Sequence, residues 1–99
     1  METQTQRKQR VIHVTARRWF QKTYGNTYHS VKVYVDGDLI GHVPFCYGYG
    51  SQYEQTALEI IANHLPEYGG QFRWPSMTAR ELGDKYTVDL SDVSRKGDL

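Results

Sequence analysis

The chain has one cysteine, Cys46, which excludes an internal disulfide and a cysteine-built zinc cluster. It has no apolar run near the ~18 residues of a membrane span, and no signal peptide opens it. These absences predict a soluble intracellular protein. At 99 residues the chain has no room for a second domain, since domains take about 100–200 residues. Charged residues make up 23% and hydrophobic residues 38%, so it is not short of core material in the way disordered chains are. The core it builds must still be thin.

Tyrosine and asymmetric charge are abundant. Eight tyrosines and two tryptophans exceed what so small a core can bury, so some rings must lie at the surface or in a pocket. The net charge of +1 hides a division. Residues 1–35 hold seven Lys/Arg against one acid, +6, whereas residues 36–99 hold five against ten, −5. A solvated surface with a basic arm explains this. So does an anionic ligand at the first half, or association between unlike faces, so self-association enters as an expectation.

Residues 1–10 are polar and basic without apolar periodicity and read as a flexible arm. From Val11 the pattern turns to long β-rich runs. Gly25-Asn26 is a two-residue hairpin signal. Closing the hairpin there pairs Phe20 with Val31, Arg18 with Val33 and Ala16 with Val35 on a core face. It pairs Trp19 with Lys32, Arg17 with Tyr34, Gln21 with Ser30 and Thr23 with Tyr28 on the other. Arg18 is misplaced on the core face unless a bulge turns it or it reaches the sheet edge. Asp36-Gly37 signals a second turn into a strand over about Leu39–Phe45, with Ile40 near Val33; Pro44 ends this strand or places it at an edge. Ser51 and Glu54 have capping-box spacing and open a helix to about Leu65, with Tyr53, Ala57, Ile60 and Ile61 on its apolar stripe. Residues 66–77 read as a linker pinned by Phe72 and Trp74. Thr78 and Glu81 open a short helix ended by Gly83, and Tyr86, Val88 and Leu90 alternate as a fourth strand. The expected fold is α+β in two layers: an antiparallel sheet of three to four strands, ordered β-β-β-α-α-β, covered by one main helix. The domain spans 11–94, and 95–99 is a charged tail.

Two places could bind a ligand. The first is the outer hairpin face: Arg17, Trp19, Gln21, Tyr28, Ser30, Lys32 and Tyr34. Rings beside cations on an open sheet suit a single-stranded nucleic acid, whose bases stack at about 1–3 kcal/mol each while phosphates meet the cations. The same residues also stabilise sheets by cross-strand pairing and anchor protein interfaces. The second is Gly48-Tyr49-Gly50-Ser51 with Tyr47, where glycines and free N–H groups at a helix start could hold a phosphate. This loop lacks the third glycine and the lysine of phosphate-loop motifs, and packing alone would account for it. His13-Val14-Thr15 is half of a two-histidine phosphoesterase signature. Neither His29-Ser30-Val31 nor His42-Val43-Pro44 completes it, and His29 has core-facing parity. No spacing of histidine with carboxylate predicts a metal, and no cofactor is expected. Cys46 reads as a small buried residue.

Arg17-Arg18-Trp19-Phe20, Tyr24-Gly25-Asn26-Thr27-Tyr28-His29-Ser30-Val31, and Tyr47-Gly48-Tyr49-Gly50 with Gln52-Tyr53 together resemble a family of small proteins. These are carried by tailed-phage genomes and by bacteria and archaea with phage-like elements. Arg95-Lys96 with Asp98-Leu99 is similar as well. That family has no established activity, so the resemblance assigns no site residue. It implies a phage-type accessory protein in the cytoplasm of a bacterial host, acting by binding: sequestering a signal nucleotide, blocking a host defence complex or holding nucleic acid. Three functions follow as expectations. The chain captures a nucleotide or oligonucleotide. Or it inhibits or assembles a host protein through the same aromatic face. Or it is a small phosphodiesterase whose His13 and His29 must converge on one phosphate.

Overall fold

A computed structural model describes residues 9–69 and 74–99. Strands β1 (Val11–Gln21), β2 (Asn26–Val35) and β3 (Asp38–Tyr47) lead into helix α1 (Gln52–His64); a 3₁₀ turn (Pro66–Tyr68), helix α2 (Pro75–Leu82) and strand β4 (Lys85–Val93) follow. The four strands form one sheet in the order β3-β2-β1-β4. β1, β2 and β3 are antiparallel neighbours, and β4 joins β1 in parallel, so the sheet is mixed. A parallel neighbour needs a long crossover. Here the connection from β3 on one edge to β4 on the other is the helical layer itself.

Alternation along the strands decides what is inside. Ile12, Val14 and Ala16 of β1 and Val31, Val33 and Val35 of β2 are buried on one face, against Ala57 and Ile61 of α1 and Ala79 of α2. Tyr53, Ile60, Leu65 and Tyr86 pack around this cluster. α1 lies over β2 and β3, and α2 over β4. Gly41 permits the close approach, since a Cβ there would overlap Ile60.

The first hairpin differs from its predicted register. Its loop is Lys22–Gly25, four residues, with Gly25 at φ 69° donating its N–H to the Gln21 carbonyl at 2.8 Å. Trp19 therefore pairs with Tyr28, Arg17 with Ser30, Thr15 with Lys32 and His13 with Tyr34. The parity is as expected and the partners are displaced by two residues along each strand. Phe20, assigned to the core, is exposed at the sheet end. Arg18 takes the edge solution: it pairs in register with Asp92 of β4, and its guanidinium bonds that carboxylate at 2.8 Å and the Gly50 carbonyl at 2.9 Å. The Asp36-Gly37 turn is where the sequence places it, with φ of 52° and 89°. β3 is an edge strand, and Pro44 sits in a bulge where Pro44 and Phe45 together face Ser30.

α2 begins at Pro75, three residues before the expected Thr78; proline at the first helical position needs no N–H partner. Gly83 ends it in the left-handed region. Phe72 lies outside the described residues, as do residues 1–8 of the arm. Gln9 and Arg10, read as part of that arm, are tied down instead. The Arg10 guanidinium reaches Asp84 at 3.0 Å and Glu67 at 2.8 Å, and the Tyr68 hydroxyl donates to Asp84 at 2.7 Å. Burial alone would raise the Asp84 carboxyl. The Tyr68 hydroxyl and the Arg10 groups reverse that and hold it below the usual carboxylate range. This knot pins the start of β1 to the start of β4.

Candidate functional site

Facing away from the helices, β1 presents His13, Thr15, Arg17 and Trp19. The displaced register sorts this face into two zones. Tyr28 is stacked between Trp19 (5.8 Å between ring centroids) and Phe45 (4.6 Å), with Tyr47 edge-on at 5.7 Å. Arg17, Lys32 and Tyr34 lie beyond this row with Thr15, Ser30 and His42. These six, with Leu99, line a well of about 170 Å³. The expected alternation of ring and cation, Trp19 beside Lys32 and Arg17 beside Tyr34, is thus replaced by an aromatic row beside a cationic well. Both faces of the Tyr28 ring are occupied by its neighbours, so a stacking ligand must meet the ends or edges of the row.

Neither Arg17 nor Lys32 has a carboxylate within ion-pair distance among the described residues. Hydroxyls of Thr15, Ser30 and Tyr34 and the His42 imidazole surround them. Such a set can donate several hydrogen bonds to one anionic group, and two cations raise its local concentration. Asp89, which pairs with Thr15, is the acid bordering this zone on β4.

The segment after β4 crosses the same face. Its 3₁₀ turn (Lys96–Asp98) sets the Lys96 ammonium 4.8 Å from the centre of the Phe45 ring, and the Asp98 carbonyl accepts from Arg17 at 3.3 Å. The charged tail read over 95–99 is therefore folded against the sheet.

The glycine loop is built for close packing. A Cβ on Gly48 would overlap Gln52 and crowd the His29 ring. His29 is fully buried. The Gly48 carbonyl can only accept, so Nδ1 of His29 carries the proton and donates to it at 3.2 Å; Nε2 then accepts from the Thr56 hydroxyl at 2.8 Å. Burial pushes this imidazole below its ordinary value, against the Gly48 bond. Ser51 makes no capping bond through its side chain. The N–H groups of Gln52 and Glu54 bond the Tyr49 and Ser51 carbonyls, at 3.2 and 2.9 Å. Gly50 spends its carbonyl on Arg18. The Gly48 N–H bonds the Thr27 carbonyl at 3.0 Å as well, so three amides in and just after the expected phosphate cradle are engaged, and the Glu54 carboxylate lies in the same turn. A separate cleft of about 480 Å³ runs along Tyr47, Gly48, Tyr49, Gly50, Ser51 and Gln52, with Trp74 on its wall. Tyr47 is the residue this cleft shares with the aromatic row.

His13 faces outward, its Nδ1 2.7 Å from the Thr87 hydroxyl, whereas His29 faces the core. The two imidazoles lie on opposite faces of the sheet and do not converge. Cys46 is half-buried and free. No cluster of metal-ligating side chains occurs among the described residues, and no described helix is long and apolar enough to cross a membrane.

His42, Phe45 and Leu99 escaped the sequence reading. A regular strand after the Asp36-Gly37 turn would pair Lys32 with Gly41 and turn His42 inward; the register shift between Val33 and Tyr34 brings His42 opposite Lys32 instead. The bulge at Pro44 hides Phe45, and nothing local places Leu99 in the well. Comparison of the chain with protein-family models, with curated proteins and with solved structures finds no match.

Proposed function

We propose that this chain is a non-enzymatic binding module that captures a nucleotide or a single-stranded oligonucleotide on its outer sheet face. The observation that carries the reading is the well. Arg17 and Lys32 face an open, hydroxyl-lined space without carboxylate partners among the described residues, directly beside a row of aromatic rings. Phosphate belongs in the well, with Tyr34 and Ser30 as further donors, and base against the Trp19 end of the row. The Gly48–Ser51 loop supports this face by ordering Tyr47 rather than by binding phosphate itself. The resemblance to phage-carried proteins makes an accessory, anti-defence role the biological setting of such capture.

Fluorescence anisotropy with a 5′-labelled oligothymidylate, and competition by mononucleotides, test the reading. Trp19→Ala is expected to abolish binding while leaving the circular dichroism spectrum intact. An unfolded Trp19→Ala protein would show the ring to be core and remove it from the site.

A protein partner is the second reading. Phe20, Tyr24, Phe45, Tyr47 and Tyr49 are all exposed near one end of the sheet, and aromatic groups of this kind anchor interfaces. Native mass spectrometry from infected cells separates the two: a retained nucleotide mass favours capture, and a stable protein complex without one favours the partner.

A further inference from the structure

We propose that the segment Ser94–Leu99 is a displaceable cover, and that ligand and segment compete for the outer face. The inference rests on the reading of that face as the ligand site. Three contacts lead to it. Lys96 sits over the Phe45 ring at 4.8 Å, the end of the aromatic row away from Trp19. The Asp98 carbonyl takes an N–H of Arg17, the cation assigned to phosphate. Leu99 lines the well among Arg17, Lys32 and His42. The segment starts at the β4 edge and reaches residues of β1, β2 and β3, so it spans the sheet.

Its attachment is weak enough to yield. Ser94, Arg95, Lys96 and Gly97 are exposed, and the one ion pair within the segment, Arg95 with Asp98, is internal to it. That pair travels with the segment when it leaves. Among the described residues, what is lost on leaving is one exposed cation–ring contact, one hydrogen bond to a carbonyl and the partly buried place of Leu99 in the well. A phosphate offers Arg17 a charged acceptor in place of a neutral one, and such bonds are about twice as strong. The exchange therefore favours an anionic ligand over a neutral one of the same shape.

Charge alone predicts the opposite of what a cover predicts. Removing residues 95–99 deletes Arg95, Lys96 and Asp98, two basic residues against one acid, and should weaken the binding of an anion. Removing a cover should strengthen it. The experiment compares the full chain, the chain lacking 95–99 and Lys96→Gln, each titrated with 5′-phosphorylated, fluorescently labelled oligothymidylate at fixed salt. The Kd is expected to fall by about threefold to tenfold on deletion, the scale of the contacts removed. Lys96→Gln should shift it in the same direction despite losing a positive charge, and it keeps the test open if the deleted chain folds poorly. Binding that is unchanged or weaker in both variants overturns the cover while leaving the face as the site. An oligonucleotide bound by none of the three chains at any salt overturns the site, and the cover with it.

Discussion

His29 shows how one side chain joins three elements. It stands on β2, donates to the loop after β3 and accepts from α1. Burial lowers its pKa, so in the unfolded chain it takes up a proton near the ordinary 6.5 while the folded chain resists doing so. Its contribution to stability is therefore full above about pH 6.5 and is lost as the pH falls through and below that value. Urea midpoints at about pH 7.5 and about pH 5.5 should differ in that sense, and Thr56→Val, which removes the hydroxyl partner of Nε2, should flatten the difference. Asp84 is the other decisive residue. Asp84→Ala leaves the Arg10 guanidinium with Glu67 and strips the Tyr68 hydroxyl of its acceptor. A loss of roughly 3 kcal/mol is expected in denaturant titration, as for a broken buried ion pair. The core position of His29 was legible from strand parity. The knot at Arg10 was not, because its partners are 57 and 74 residues away and polar spacing gives no long-range signal.

At the scale of elements, the strands, the main helix and the Asp36-Gly37 turn follow from alternation, the apolar stripe of α1 and glycine placement, whereas the capping bond expected of Ser51 does not form. What went astray is loop length. Gly25-Asn26 marks the first hairpin correctly, but Gly25 closes a four-residue loop and not a two-residue one, and that shift changes every cross-strand neighbour while preserving the faces. On the core face the shift exchanged Phe20 and Arg18 for Ile12 and Val14 as partners of the β2 valines, which stay buried in either register. On the outer face, ring–cation alternation became segregation. The parallel placement of β4 was equally hidden, since strand direction depends on where the helical layer returns the chain. One position fixes the loop that supports this arrangement. Gly48→Ala would drive a methyl into Gln52 and His29, and a loss of about 1–3 kcal/mol in thermal unfolding is expected, with exposure of the His29 ring to titration.

The whole molecule sorts its functions by face: helices and apolar stripe on one side, rings and cations on the other. The division of charge along the chain foreshadowed this only in part. Of the seven basic residues before residue 36, Arg10 and Arg18 are spent on Asp84 and Asp92, while Arg17 and Lys32, on the outer face, have no carboxylate partner among the described residues. Salt dependence measures how many of these meet phosphate. The logarithmic slope of affinity for a single strand changes by about 0.7 for each phosphate contact. Arg17→Ala and Lys32→Ala should each reduce it by about that amount, whereas Lys22→Ala, on the hairpin loop, should leave it unchanged. Candidate residues were thus visible in the sequence, and their arrangement required the three-dimensional register.

The two open margins of the sheet are unequal. On β3, irregularities opposite His29–Val31 and Val33–Tyr34, the first of them holding the imide nitrogen of Pro44, put the outward backbone groups out of step with any straight incoming strand. Fibrillar growth needs a regular template, so this flank resists being extended by another chain. β4 pairs with β1 without interruption over nine residues, and there charged side chains at Lys85, Asp89 and Asp92 do the discouraging instead. Asparagine in place of both Asp89 and Asp92 should therefore turn that margin into the first place where copies zip together.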